Sequence, residues 1–380
     1  MRIVFTGGGS GGHFYPIVAV AEAVRDLVKE RKLLEPELYF FGPNVYDERA
    51  LYDNDVRFIQ TPAGKMRRYF SLLNITDSFK TLFGILKTIW VMYQLYPDVI
   101  FSKGGFGAAP TLVAARLLHI PVMVHDSDAV PGRATVYASA FAQKIAISYD
   151  SAAEYFPEAV RARIALTGNP IRREVITPAK DGMHEFLGLE STVPVLLILG
   201  GSQGAEKIND TILEALPDLV QHYQVIHQTG EVNFKSVSET AQVVLGKNEK
   251  RYRYKPYAYL SSLALKMAAG AADVVVSRAG SGGIFEIASW GVASIIIPLP
   301  TAAQDHQRFN AFAYARSGAC VVLEQENLAP HILVSEIDRL FTNPKARNDM
   351  AEAAKVFAKP DAARVLADGL LAIGLEHMSE

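Results

Sequence analysis

The start of the chain constrains its fold more than any other stretch. Ile3-Val4-Phe5 is β-branched and aromatic, Gly7-Gly8-Gly9-Ser10-Gly11-Gly12-His13 follows, and Val20, Ala23, Val24 and Leu27 then recur at helical spacing. The pattern predicts strand, glycine turn, helix. Glycines let a ligand approach the backbone, and the free N–H groups and positive dipole end of a helix start favour an anion. Gly9, Ser10, Gly11 and Gly12 are therefore candidate ligand-binding residues, with His13 at the mouth of the site. The dinucleotide fingerprint is satisfied too, but five glycines in six positions satisfy almost any glycine pattern. The next strand, 38–41, ends in Gly42-Pro43 where a dinucleotide site wants an acid, so NAD is not predicted. Gly8-x-Ser10-x-Gly12 and Gly200-x-Ser202-x-Gly204 match the nucleophile elbow of hydrolases for the same compositional reason; two of them read better as phosphate turns.

A chain of 380 residues predicts two domains rather than one core. Its formal net charge of -2 argues against nucleic acid as a partner. The lone Cys320 excludes an internal disulfide framework and fits a reducing compartment, with a buried apolar role. The first residues lack the apolar run of a secretory leader, and the apolar stretch 82–101 is broken by Lys87, Gln94, Pro97 and Asp98, so a cytosolic protein without a spanning segment is expected.

Strand and helix patterns then alternate. Between them, Gly64-Lys65-Met66-Arg67-Arg68-Tyr69-Phe70 mixes basic and aromatic residues ahead of an amphipathic helix carrying Leu82, Leu86, Ile89 and Tyr93. One reading turns that apolar stripe to the core; the other rests the basic patch on an anionic membrane surface. Strand 98–101 ends in Ser102-Lys103-Gly104-Gly105-Phe106-Gly107, and strand 121–124 ends in His125-Asp126-Ser127-Asp128, where open α/β sheets place ligand residues. Asp126 and Asp128 could hold a divalent metal or only build a turn or helix cap. Strands 144–147 and 164–167 complete the first sheet, Gly168-Asn169-Pro170 turns, and the domain boundary is placed near Arg172.

The second half opens as the first does, with Val195–Leu199 running into Gly200-Gly201-Ser202-Gln203-Gly204-Ala205 and a helix. Further on, strand 273–277 leads through Arg278-Ala279-Gly280-Ser281-Gly282-Gly283 into a helix carrying Glu286. Gly280, Ser281, Gly282 and Gly283 can present N–H groups to a diphosphate, with Arg278 adding charge. Glu286, expected in the first helical turn, either accepts two ribose hydroxyls or complements the dipole. After strand 294–298, His306, Gln307 and Asn310 suit the hydroxyls of a sugar or form a polar helix start.

Gly9-Ser10-Gly11-Gly12-His13, Gly168-Asn169-Pro170-Ile171-Arg172, the 200–205 turn, Arg278-Ala279-Gly280 with Glu286, and His306-Gln307-x-x-Asn310 occur in this order, from Met1 to about Leu340. In these motifs the chain resembles the MurG family, bacterial transferases that add N-acetylglucosamine to lipid I. The resemblance implies an α/β GT-B fold, two Rossmann-like domains facing across a cleft. The acceptor domain would be 1–172, with a C-terminal helix of about 355–380 packing back on it, and 173–354 would bind UDP-N-acetylglucosamine. It further implies that Ser202, Gln203, Arg172 and the 281–286 segment hold UDP and that Gln307 holds the sugar. Undecaprenyl-linked lipid I is the implied acceptor, met from the cytosolic side of the membrane, and enzymes of this kind need no metal or other cofactor. The family usually has His-Glu-Gln-Asn at 125–128, so the acceptor contact expected of the asparagine falls to Asp128. Inverting transfer needs a base for the acceptor hydroxyl and fixed positive potential for the diphosphate; His13, at a helix start that disfavours its cation, suits the base or an acceptor-phosphate ligand. Two alternatives remain open: another GT-B enzyme such as a UDP-N-acetylglucosamine 2-epimerase, and a non-catalytic sugar-nucleotide-binding protein.

Overall fold

The computed structural model describes residues 1–64, 73–201 and 205–379. The chain forms two compact units, one of Met1–Arg172 with Lys359–Glu380, the other of Arg173–Ala358. Each is built on a parallel sheet.

In the first unit the strands are β1 (Arg2–Thr6), β2 (Glu37–Gly42), β3 (Val56–Gln60), β4 (Val99–Ser102), β5 (Val122–Asp126), β6 (Lys144–Ile147) and β7 (Ile164–Leu166), in the order β3-β2-β1-β4-β5-β6-β7. The chain leaves β1 to one side and reaches β4 on the other, so the crevice beyond the carboxyl ends of β1 and β4 is the topological switch point where such sheets bind ligands. Register puts Phe5 beside Phe40 and Phe101, and all three side chains are fully buried. One face of the sheet is covered by the helix Gly11–Glu30 together with the last helix, Ala362–Ser379, whose Leu366, Leu370 and Leu371 share a core with Ile3, Val20 and Val24. That return is tight: a Cβ on Gly374 would lie 2.6 Å from Met1 Sδ. Arg364 spans both carboxylate oxygens of Glu30 at 2.9 and 2.6 Å.

The second unit has β8 (Val195–Leu199), β9 (Gln224–Gln228), β10 (Tyr254–Tyr257), β11 (Val274–Arg278), β12 (Ala293–Ile297) and β13 (Cys320–Val322), in the order β10-β9-β8-β11-β12-β13. Its switch point lies beyond β8 and β11. β8 is a continuous apolar run and β12 is apolar except for Ser294, and both are buried along their whole length, as a parallel sheet covered on both faces requires.

Three strands, β3, β10 and β13, have no counterpart in the sequence reading, and all are edge strands. β3 carries the exposed Arg57 and Gln60 and β10 carries Lys255 and Pro256, so neither is an apolar run, and β13 has only three residues. The helix Leu73–Leu95 also departs from the core-facing reading. Its buried line is Gly84, Thr88 and Met92, while Leu82, Leu86 and Tyr93 are exposed beside Phe79, Phe83 and Trp90. Packing explains the inversion, because a Cβ on Gly84 would stand 1.7 Å from the Pro62 carbonyl oxygen, so only a small residue can face inward there. The patch at Lys65, Met66, Arg67, Arg68, Tyr69 and Phe70 lies outside the described residues. Among the described residues no helix is long and apolar enough to cross a membrane.

Candidate active site

At the carboxyl end of β1, Ser10 is the extended residue before the helix, and its carbonyl accepts from the N–H groups of His13 and Phe14 at 3.0 Å. The Ser10 hydroxyl lies 2.9 Å from His13 Nδ1, which fixes the ring. With its proton on Nδ1 donated to Ser10 Oγ, the ring keeps the lone pair on Nε2. Behind the ring sits the turn after β4. Gly104 and Gly105 have φ of 68° and 79°, and a Cβ on Gly105 would lie 2.8 Å from Gly8 Cα and 3.4 Å from His13 Nε2. Only glycine lets these two turns interlock.

Under that turn lies a polar cluster. Lys103, 2% exposed, approaches His125 Nδ1 at 2.7 Å and donates to Asn169 Oδ1 at 3.2 Å and to Ser127 Oγ. His125 is buried with Nε2 2.8 Å from the Gly168 carbonyl oxygen, so its proton sits on Nε2 and Nδ1 accepts from Lys103. Burial, then the Lys103 charge, hold His125 well below the usual histidine range, so it is neutral. Burial also pushes Lys103 down to about 7 against the pull of Asp126 and Asp128. Burial and Asp128 push Asp126 up to about 6. Asp126 Oδ1 accepts from the Asp128 amide at 3.1 Å and Oδ2 from the Gly132 amide at 2.9 Å, so both oxygens build the loop. Among the described residues no group of three or more His, Cys, Asp or Glu could hold a metal. Arg172 stacks on the Tyr15 ring, 4.5 Å from its centroid. Lys103 and Asn169 were missed as site residues although the sequence has each in a turn after a strand; what no local pattern carries is that one ammonium joins those turns.

In the second unit β11 runs into Gly280, which precedes the helix Ser281–Trp290. Among the described residues a Cβ on Gly280 or on Gly282 would meet nothing within 4 Å, so none of them fills the space over this helix start. Glu286 is the sixth residue of the helix, not in its first turn, and lies below Gly282 and Gly283 on the same face. The dipole role therefore falls away, and the carboxylate lies one turn below the helix start. Arg278 is already engaged: its guanidinium donates to the carbonyls of Ile297 and Pro298 at 3.3 and 3.5 Å and to Gln325 Oε1 at 2.7 Å. Burial pushes it down to about 10. It braces the strand ends rather than reaching over the helix start. Gln304 and Asp305, both left-handed at φ of 59° and 56°, precede the helix His306–Arg316, a strained entry of the kind that clusters at ligand sites. His306 is the first residue of that helix. Gln307 Oε1 accepts from the Leu299 amide at 3.0 Å, and Asn310, fully buried, donates to the Ala279 carbonyl at 3.2 Å, tying this helix to the glycine turn. Asn310 is thus a brace behind the site. Ser202 and Gln203 lie outside the described residues.

Comparison with known proteins matches residues 3–147 to the glycosyltransferase family 28 N-terminal domain and 195–366 to the glycosyltransferase family 28 C-terminal domain. A Treponema denticola protein named UDP-N-acetylglucosamine–N-acetylmuramyl-(pentapeptide) pyrophosphoryl-undecaprenol N-acetylglucosamine transferase is 35% identical over 389 residues, covering 97% of this chain and 96% of its own. The chain belongs to glycosyltransferase family 28. Family 28 membership accounts for the two Rossmann-like units, and it makes the chain a glycosyltransferase. The crystal structure of Acinetobacter baumannii MurG has the same GT-B fold, with a TM-score of 0.73 at 24% identity over 98% of this chain and 99% of that one. A UDP-GlcNAc 2-epimerase from Neisseria meningitidis, bound to UDP-GlcNAc, has a TM-score of 0.67 at 15% identity over 98% and 100% of the two chains, which is likeness of fold alone.

Proposed function

We propose that this chain transfers N-acetylglucosamine from UDP-N-acetylglucosamine to undecaprenyl-linked lipid I, forming lipid II for peptidoglycan, with inversion at the anomeric carbon. The full-length similarity to the Treponema transferase carries this reading. The first unit takes the acceptor on the Gly9–Gly12 turn and Asp128, and the second takes the donor. His13 Nε2 removes the acceptor hydroxyl proton, the hydroxyl oxygen bonds to the anomeric carbon, and the bond from that carbon to the diphosphate breaks as UDP leaves with the electron pair. The open helix start at Gly280–Gly283 receives the diphosphate, with Ser202, Gln203 and Arg172 as further contacts. Glu286 accepts ribose hydroxyls, and His306 and Gln307 line the sugar. Arg278 and Asn310 keep that edge in shape. Turnover of UDP-N-acetylglucosamine with and without a lipid I analogue tests the proposal: consumption that requires the analogue is expected. Release of free sugar without it would instead mark an epimerase, and binding without turnover a sensor.

The same proposal places the protein on the cytoplasmic face of the membrane as a peripheral protein, not on nucleic acid. Phe79, Phe83, Leu86, Trp90 and Tyr93 expose an apolar face on one helix, and they adjoin in sequence the basic Lys65, Arg67 and Arg68. Binding to anionic vesicles should weaken as salt rises, since exposed charge is screened over about 8 Å at physiological ionic strength. Parent-like sedimentation of a Phe83→Ser/Trp90→Ser variant with such vesicles would remove this face from the reading.

A further inference from the structure

Below about pH 7 the buried Lys103 is an ammonium, and a buried charge is costly unless its N–H groups are paired. Three donors meet three acceptors here: His125 Nδ1 at 2.7 Å, Asn169 Oδ1 at 3.2 Å and Ser127 Oγ. His125 and Ser127 belong to the end of β5 and its loop, and Asn169 to the turn after β7. Lys103 itself opens the turn whose Gly105 backs Gly8 and the His13 ring, and its amide donates to the Thr6 carbonyl of β1 at 2.9 Å. Asp126 and Asp128 supply the opposing charge. Asn169 turns its oxygen to Lys103 and Ser127 while its buried Nδ2 finds no partner among the described residues. The cation thus fixes the amide at the expense of an unmade hydrogen bond.

We infer that Lys103 is a positioning residue of the acceptor site: one ammonium locks the turns after β4, β5 and β7 together and balances Asp126 and Asp128, holding Asp128 and the His13 ring in place. The inference rests on the acceptor reading of this edge. The aspartate at 128 and the lysine at 103 form one device, in which the lysine offsets the charge that an asparagine at 128 would not carry.

A double-mutant cycle on the full chain tests it, with Lys103→Met, Asp128→Asn and the pair. Lys103→Met should lower kcat/KM for a lipid I analogue by about 10-fold or more, since a 1 Å misplacement can cost up to about 10²-fold, while the Kd for UDP stays at the parent value. Adding Asp128→Asn should recover part of that loss. Losses that simply multiply, or a parallel loss of UDP affinity, would overturn the inference. If Lys103→Met does not fold, Ser127→Ala removes one acceptor at a half-buried position and should raise the acceptor KM with an unchanged Tm; unchanged acceptor kinetics would overturn it equally. Hydrogen exchange separates this inference from the proposed function. In Lys103→Met the amides of Gly104, Gly105, Asp128 and Asn169 should exchange faster together even if no lipid I analogue is ever turned over, and parent-like protection there sinks the locking role.

Discussion

Each unit ends a central strand in a glycine turn and starts a helix from it, yet the glycines after β4 and those after β11 do opposite things. In the first, a Cβ on Gly105 would stand 2.8 Å from Gly8 Cα and one on Gly107 2.5 Å from the Gly7 carbonyl oxygen, so the glycines let protein pack against protein. In the second, no described residue comes within 4 Å of a Cβ added to Gly280 or Gly282, so these glycines leave space at the helix start. Gly12, beside His13, is the exception in the first unit, with nothing near its Cβ position. The first edge has been filled with its own buried polar groups, Lys103, Asp126 and the neutral His125, and offers a shaped surface around one histidine. The second keeps an empty helix start with a carboxylate below it. On the proposed function, a rigid histidine suits an acceptor that must be held against it, and a helix start with room above it suits a diphosphate that must come and go.

The contrast breaks first at His13. His13→Ala should lower turnover by about 10²-fold or more with UDP affinity nearly unchanged, as for loss of a general base. A matching loss of UDP binding would make the histidine a donor ligand and erase the division of labour. Gly105→Ala comes next. A left-handed φ of 79° and a backbone contact of 2.8 Å together predict a loss of about 2 kcal/mol or more in unfolding free energy, measured by denaturant titration. Parent-like stability would show that the two turns of the first unit are not interlocked.

The filled edge also predicts a pH signature. Burial lowers Lys103 from 10.5 to about 7, and burial with Asp128 raises Asp126 from 3.8 to about 6. Between pH 10.5 and 7 the unfolded chain holds a proton that folded Lys103 has released, so stability falls as pH falls through that window. Between pH 6 and 3.8 folded Asp126 holds a proton that the unfolded chain lacks, so stability rises as pH falls. The cluster therefore contributes least between about pH 6 and 7, with His125 neutral throughout that interval. In Lys103→Met the upper limb should vanish from a plot of Tm against pH. Its survival would assign that limb to other groups.

Much of this was legible in the chain itself. A continuous apolar strand such as β8 declares itself because both faces are buried, and the glycine turns fall at the carboxyl ends of central strands in both sheets. The edge strands β3, β10 and β13 stayed hidden because polar residues interrupt the first two and the third has only three residues. The helix Leu73–Leu95 misled for a different reason. Periodicity locates an apolar stripe without saying what covers it, and Gly84 under Pro62 turned the stripe outward. Glu286 was seen as a ligand but put in the wrong turn, since helix starts shift by a residue or two and its role depends on which turn it occupies. Arg278 and Asn310 were read as facing a ligand because only polarity is visible in sequence; their backbone partners at Ile297 and Ala279 are long-range.

The smallest effect sharpens the comparison most. Gly282 is the second residue of its helix, with left-handed backbone not required and open space at its Cβ position. Alanine there removes backbone freedom from the unfolded chain, so Gly282→Ala should leave stability unchanged or raise it by up to about 1 kcal/mol. The same methyl group enters the space over the helix N–H groups, so UDP binding should weaken even as the fold tightens. Gly105→Ala must do the reverse, damaging the fold through a contact internal to the first unit. If Gly282→Ala binds UDP as the parent does, the open volume at Gly280–Gly283 is not where the diphosphate sits, and the donor assignment of the second unit would have to rest on Glu286 and the Gln304–Gln307 segment instead.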